Sequence, residues 1–415
     1  MRRRRLLKSI IAAGVAGSSN VLWAPGAMAT AQNAGHNSYF SGLNEMLKRE
    51  GPGHPVMLID TARMAHNISR ITQSVGDEKR YRVVVKSLPS VPLLREVMDK
   101  AGTQSLMVFH QPFLSAVAQA FPASDVLLGK PMPIRAVQSF YSELDHKKYD
   151  AEKNVQWLVD SKQRLLQYQA FARQHGLRLG INFEIDVGLH RGGLAQPEML
   201  SECLTIITAD AEHLHFTGLM GYEPQLTGLK ADLSHPAVVE VLSIYRGFID
   251  RAKLAGYDAE KLVLNGAGSH TLKIYEKDNT MNDLSAGSGV VMPTDFDTFH
   301  LADHQPALFI AAPILKRYQQ NPFMEEPPPG MEQLYYIYGG YWKANMVSPQ
   351  PVGEPIYQST NQSPILASAD LNLQVDDYMF FRPTQSEFVM LHFGDLLGVD
   401  NNHINHQWPV FQQTS

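Results

Sequence analysis

Along residues 54–292 the apolar positions keep two alternating rhythms. Short β-branched runs alternate with longer segments whose apolar side chains recur every three or four positions, the pattern of buried strands followed by amphipathic helices. The strand candidates are "VMLID" (56–60), "RVVV" (82–85), "SLMVF" (105–109), "DVLLG" (125–129), "VQWLV" (155–159), "LRLGINFEI" (177–185), "LHFTGLMGY" (214–222) and "KLVLN" (261–265). Between them, "TARMAHNISRITQSV" (61–75) puts Met64, Ile68 and Ile71 on one face, and the segment 161–176 opens on a serine cap and ends on Gly176. Eight strand–helix units in roughly 240 residues predict an α/β fold, a (β/α)8 TIM-type barrel. A doubly wound open sheet is the competing arrangement of the same elements.

The rhythm changes at about residue 300. The acidic, proline-rich "EEPPPG" (325–330) precedes aromatic and β-branched runs such as "QLYYIYGGYW" and "DYMFFRP", separated by Gly, Pro and Asp-Asp. The pattern predicts a barrel over 30–300 and a smaller β-rich domain over 301–415. A chain of 415 residues, 44% hydrophobic, supports two cores better than one.

Charge divides the chain differently. Arg2, Arg3, Arg4, Arg5 and Lys8 fall in the first 29 residues, which hold no acid, so without them the net charge of -5 becomes -10. An acidic body does not attract nucleic acid or an anionic membrane surface. The basic head is followed by the apolar "IIAAGVAG", too short to span a bilayer, and by "APGAMA", an A-x-A cleavage signature. Residues 1–29 therefore predict an export signal cleaved after Ala29, with a periplasmic or secreted product. Arg3-Arg4-Arg5-Leu6-Leu7-Lys8 matches a twin-arginine pattern, an arginine-rich general secretory signal being the alternative. The single cysteine, Cys203, excludes an internal disulfide and sits in a helical pattern as a small hydrophobe.

In a barrel, chemistry gathers where strands end. "RVVV" ends on Lys86, "LRLGINFEI" runs into "DVGLHRGG", and glycine-rich "NGAGSHT" (265–271) and "SAGSGVVM" (285–292) close the series. Taken alone, a strand-end lysine carries its ammonium out to water. In an apolar pocket, desolvation instead favours the free amine needed for Schiff-base chemistry. Glycine-rich turns let backbone N–H groups approach an anion. A strand-end lysine beside such turns points to a phosphorylated carbonyl cofactor, pyridoxal phosphate.

These segments resemble the fold type III, alanine racemase-like class of pyridoxal-phosphate enzymes, within the branch of D-threonine aldolase and eukaryotic-type D-serine dehydratase. "HPVMLIDTARMAHNISRI", "RVVVKS", "DVLLGKP", "EIDVGLHRGG", "GLMGYEP", "LNGAGSHT" and "SAGSGVVM" follow the family's order over most of 54–292. The resemblance implies that Lys86 forms the internal aldimine and that Arg191 and Tyr222 contact the cofactor ring or its hydroxyl. It implies that Gly266, Ala267, Gly268, Ser288 and Gly289 hold the phosphate, largely through backbone N–H, with Asn265, Ser269 and His270 beside it. It gives His190 no role, and an ion pair of Arg191 with Glu184 or Asp186 is the structural alternative. The polar run that follows the family's lysine is Ser87-Leu88-Pro89 here, which predicts an apolar pocket wall. The family's divalent-metal segment N-H-x-[CD] reads Asn402-His403-Ile404-Asn405. His403 matches the ligand histidine, but Asn405 offers a neutral amide in place of a thiolate or carboxylate, a poorer ligand for Zn²⁺ or Mn²⁺. His406 is a substitute ligand, a metal-free base at His403 a further option, and a solvated histidine-rich tail the plain reading.

The implied activity is that of an exported lyase that cleaves a D-β-hydroxy amino acid between Cα and Cβ. D-serine dehydratase-like elimination, racemisation and a non-catalytic cofactor-binding role share the same residues, and a homodimer is implied by analogy. Replacing Arg3 and Arg4 together by Lys is expected to leave precursor of unprocessed size in the cytoplasmic fraction. Unchanged secretion would assign residues 1–29 to the general secretory route.

Overall fold

The computed structural model describes residues 35–321, 327–350 and 352–412. The export segment, residues 1–29, and part of "EEPPPG" lie outside them. The chain forms two units. One holds the described residues up to Pro55, Ala311–Trp342 and Met346–Phe381; the other holds Val56–Ile310, Lys343–Asn345 and the described residues from Arg382 onward. The boundary expected near residue 300 therefore falls later, and the last thirty or so residues return to the barrel unit. The reason lies in strand pairing. β1 (Val56–Asp60) pairs in parallel with a late strand, Asp395–Asp400, with Met57 opposite Leu396 and Asp60 opposite Val399.

The second unit is built on a closed eight-stranded parallel barrel. Its strands are β2 (Arg80–Val84), β3 (Ser105–Val108), β4 (Asp125–Leu128), β5 (Val155–Val159), β6 (Leu179–Ile185), β7 (Leu214–Gly221), β8 (Val263–Gly266) and β9 (Asp283–Ala286). The TIM-type architecture is as expected, but its membership differs in one place. "VMLID" is not a barrel strand; "DLSA" at 283–286, absent from the strand candidates and overlapping the turn read at 285–292, closes the barrel by pairing with β2 and β8. The helices obey their caps. Asp60 accepts from the Arg63 N–H to start Thr61–Val75, which buries Met64, Ile68 and Ile71. Ser161 opens Lys162–His175, and Gly176 in the left-handed region ends it. Cys203 is buried in Pro197–Ala209.

The remaining strands are β10 (Leu308–Tyr318), β11 (Gln333–Tyr338), β12 (Ala344–Ser348), β13 (Val352–Pro355), β14 (Gln362–Ala367), β15 (Tyr378–Pro383), β16 (Asp395–Asp400) and β17 (His403–Pro409). In the first unit β10, β11, β14 and β13 pair antiparallel in that order. Its helix Ser38–Glu50 is tied down by Asn44, which donates to Asp377 Oδ1 at 3.0 Å and accepts from the Tyr378 N–H at 2.8 Å. Among the described residues no helix is long and apolar enough to cross a membrane.

Inside the barrel lies a charged layer. Arg82 is fully buried and uses all five of its N–H donors. Nε and Nη2 donate to the two oxygens of Asp283 at 2.8 Å each, Nη2 also reaches Asp125 Oδ2 at 3.1 Å, and Nη1 donates to the carbonyls of Leu106 and Asp125 at 3.0 Å. Asn265 donates to Asp283 Oδ1 at 2.6 Å and to Ser285 Oγ at 2.9 Å, while Gln156 donates to Asp125 Oδ1 at 2.9 Å. Burial pushes the Asp125 carboxyl up, and the Arg82 guanidinium more than offsets it, leaving it below its ordinary range. Removing one partner of such a pair strands a buried charge. Asp283→Ala is expected to cost about 3–5 kcal/mol in chemical denaturation. A loss within about 0.5 kcal/mol, the scale of a neutral surface change, would contradict this assignment.

Candidate active site

A cavity of about 340 Å³ opens where the barrel strands end. It is lined by Val84 of β2, Met220 and Gly221 of β7, Asn265 of β8 and Ser285 and Ala286 of β9. Strand β2 stops at Val84 rather than Val85, and a single 3-10 turn, Val85–Ser87, carries Lys86 over the rim. Val83, Val85 and Leu88 are wholly buried and hold that turn from behind. Lys86 Nζ lies 2.5 Å from Glu387 Oε1 and 4.9 Å from the centre of the Phe109 ring. Leu88 belongs to the core, so the cavity wall after the lysine is Ser87, a hydroxyl, and not the apolar surface expected.

Three buried hydroxyls join the walls. Ser288 Oγ donates to Ser87 Oγ at 3.1 Å and lies 2.9 Å from Ser386 Oγ. Gly287 is required beside this chain, because a Cβ there would stand 2.7 Å from the Ser87 side chain and 2.8 Å from Val84. Ser269 Oγ accepts the N–H groups of Gly287 and Gly289 at 3.1 and 3.0 Å, which fills its lone pairs and leaves its own O–H to donate.

The other glycine turn is anchored from below. Ala267 takes a left-handed φ of 66°, and its N–H bonds the buried carboxylate of Glu223. The Gly268 N–H donates to Thr271 Oγ1 at 3.0 Å, and that hydroxyl donates to Glu223 Oε1 at 2.6 Å. The Ala267, Gly268 and Gly289 N–H groups, expected at a phosphate, are thus committed to Glu223, Thr271 and Ser269. The reason is that the two turns are bonded into the protein before any anion arrives. Gly266 ends β8, and Ser288 serves the hydroxyl chain.

Arg191 lines the cavity and also makes the ion pair with Glu184 that its motif allows. Its guanidinium carbon lies 5.2 Å from the centre of the Tyr222 ring, and Nη2 is 3.7 Å from Glu184 Oε1. Asp186 is engaged elsewhere, holding the His190 ring at 2.8 Å. Burial raises the Tyr222 hydroxyl above its ordinary value, with Glu223 adding to it and Arg191 opposing. Burial raises the Glu184 carboxyl as well, Arg191 opposing. His270 lines the cavity, stacks on Phe296 at 4.3 Å and 13°, and is held by burial below its ordinary value, hence neutral.

Asn265, Ala267, Gly268, Ser269, Ser288, Arg191 and Tyr222 therefore line the same cavity as Lys86. His403 does not. It opens β17 opposite Asp400, and His403, Asn405 and His406 are all exposed, with the His406 ring stacked on Trp408 at 4.9 Å. Among the described residues no group of three or more His, Cys, Asp or Glu is placed to hold a metal ion, so the residues present do not fit the metal expected there. Sequence reasoning missed Phe109, Phe296, Gln385, Glu387 and the anchor Glu223. Only Glu223 carried a local signal, as the residue following Tyr222 in "GLMGYEP".

Glu223 yields a pH signature. Burial pushes its carboxyl up to about 7 from 4.5, against the opposing hydrogen bonds of Thr271 and Ala267. Between pH 4.5 and about 7 the unfolded chain releases this proton while the folded chain keeps it, so stability falls as pH rises through that window. Glu223→Gln keeps an acceptor oxygen and removes the titration. Its Tm advantage over the native chain is expected to grow across that window and then level off; parallel Tm–pH curves would contradict the assignment.

Residues 59–293 match the family described as alanine racemase, N-terminal domain. The 3-hydroxy-D-aspartate aldolase of Paracoccus denitrificans (strain Pd 1222) is 27% identical over 146 residues, 35% of this chain and 37% of that protein. The match thus spans little more than a third of the curated relative's length. Among solved structures, D-threonine aldolase from Filomicrobium marinum superposes with a TM-score of 0.69 at 15% identity, over 86% of this chain and 94% of that one. D-threo-3-hydroxyaspartate dehydratase from Delftia sp. HT23 gives 0.69 at 16% identity, over 86% and 97%. The likeness to both is one of fold, and the family match covers more than half of the chain. The protein belongs to the alanine racemase N-terminal domain family.

Proposed function

We propose that this protein is an exported pyridoxal-phosphate-dependent lyase that cleaves a D-β-hydroxy amino acid between Cα and Cβ. The observation that carries the reading is Lys86 Nζ, presented on a 3-10 turn into a cavity of about 340 Å³ whose walls include two glycine turns. That volume suits a small cofactor with its substrate. The residues present fit the group. Lys86 would hold it covalently through its amine, the Ser269 hydroxyl would donate to its phosphate, and Tyr222 with Arg191 would border its ring. Gly268, where a Cβ would stand 3.0 Å from the Tyr222 ring, lets that ring pack directly against the glycine turn. When bound, pyridoxal phosphate supplies an electron sink for the pair left at Cα when a bond there breaks.

The chain's own groups do the rest. Arg191 offers a cation to the substrate carboxylate, and the neutral His270 and the Lys86 amine are available to take or return protons. The D-β-hydroxy class follows the aldolase and dehydratase relatives, and cleavage is preferred to elimination because the relative matched in sequence bears the aldolase name. The basic head and A-x-A motif of residues 1–29 support export.

The purified protein is expected to show visible absorbance from the bound cofactor, and borohydride is expected to fix that cofactor on Lys86, as read by peptide mass. Lys86→Ala is expected to abolish both, with turnover of D-threonine falling to background. Glycine and acetaldehyde as products mark the aldolase; 2-oxobutanoate and ammonia would replace it with the dehydratase. A cofactor band that survives Lys86→Ala would overturn the assignment of the lysine.

A further inference from the structure

The charged residues lining the cavity do not suit every amino acid of this class. Lys86, Arg191 and Glu387 are the lining residues that carry formal charge. Each cation already faces a carboxylate: Lys86 meets Glu387 at 2.5 Å, and Arg191 lies 3.7 Å from Glu184. Glu387 is also held in place. Ser386 before it is fully buried in the hydroxyl chain with Ser288, Gln385 donates to Asp295 Oδ2 at 2.7 Å, and Glu387 itself begins the helix Glu387–Leu391. Phe109, whose ring centre lies 4.9 Å from Lys86 Nζ, with Phe296 and Met107 adds aromatic and apolar wall to the same cavity.

We propose that the cavity accepts β-hydroxy amino acids with an uncharged side chain, turns away those with a second carboxylate, and owes that choice to Glu387. The inference rests on the lyase reading above and deepens it. One carboxylate, the substrate's own α-carboxylate, can be met by Arg191. A second finds no free cation and stands beside Glu387, whose charge is released from its partner once the Lys86 amine is engaged. Like charges in a partly closed cavity repel, and discrimination by such repulsion needs no new attractive contact. Phe109 and Phe296 offer an uncharged side chain apolar contact instead.

The test is a binding titration of the holoenzyme, read from the change in the cofactor's visible spectrum, with D-threonine and with D-threo-3-hydroxyaspartate. The native protein is expected to bind the dicarboxylate about tenfold or more weakly, the effect of one like-charge contact near a surface. Glu387→Gln is expected to reduce that ratio by about the same factor, chiefly by tightening the dicarboxylate, and Glu387→Asp to preserve it. Equal or tighter binding of the dicarboxylate by the native protein, or an unchanged ratio in Glu387→Gln, would overturn the role of Glu387 while leaving the lyase reading intact. A holoenzyme whose spectrum responds to neither amino acid would overturn the lyase reading, and this inference with it.

Discussion

The barrel depends on one buried guanidinium. Arg82 has no exposed surface, and an ion that deep is tolerated only when every donor is matched. It is matched by Asp283 on the strand that closes the barrel and by Asp125 two strands away in the other direction. Strand β9 is four residues long and contributes little apolar surface of its own. The bidentate pair with Asp283, and the bonds from Asn265 to Asp283 and Ser285, fix its register against both neighbours. A slip of one residue would turn Asp283 away from Arg82 and break the bidentate pair, leaving buried donors of the guanidinium unmatched. The glycine turn after β9 inherits its position from that constraint.

The same constraint explains what could be read from the sequence. Strands such as "VQWLV", buried on both faces, announce themselves as apolar runs. "DLSA" does not, because its inward side chains are polar and are satisfied only by residues far away in the chain. "VMLID" shows the converse error: it is apolar enough to be a barrel strand, yet its burial comes from pairing with β16. Apolar pattern reports burial and leaves the partner open. The site was legible to the extent that it follows strand ends, which is why Lys86, Arg191, Tyr222, Asn265 and Ser269 came out together. Glu387 was not, since it reaches Lys86 from the end of the chain by way of Ser386, and no local rhythm marks it. The motif at His403 was visible for the opposite reason: a local resemblance survives although those histidines stand on the exposed strand β17 and outside the cavity.

The hydroxyls between Ser87, Ser288 and Ser386 give the site its unity. Three segments distant in sequence meet there: the turn bearing Lys86, the glycine turn after β9, and the segment ending in Glu387. Small polar side chains allow the backbones to approach, and Gly287 removes the last obstacle. Ser288 stands in the middle, giving its proton to Ser87 and pairing with Ser386, so one buried hydroxyl ties the other two segments together. Ser269 performs the corresponding task between the two glycine turns, accepting two N–H groups and keeping one O–H for a ligand.

Strand β2 shows how these parts are stacked. Side chains two residues apart share a face, so Arg82 and Val84 both point to the barrel interior, and Lys86 continues that line over the rim on its turn. The layers read ion pair, valine, amine. Arg82 and Arg80 together balance the Asp125 and Asp283 carboxylates below, and Val84 separates that cluster from the cavity floor. That balanced cluster, with Val84 standing between, exerts little net field on the amine above. The electrostatics of the cavity is thereby left to the residues that line it. A lysine placed four residues from a buried arginine can then answer chiefly to Glu387, to Phe109, and to whatever ligand the glycine turns admit.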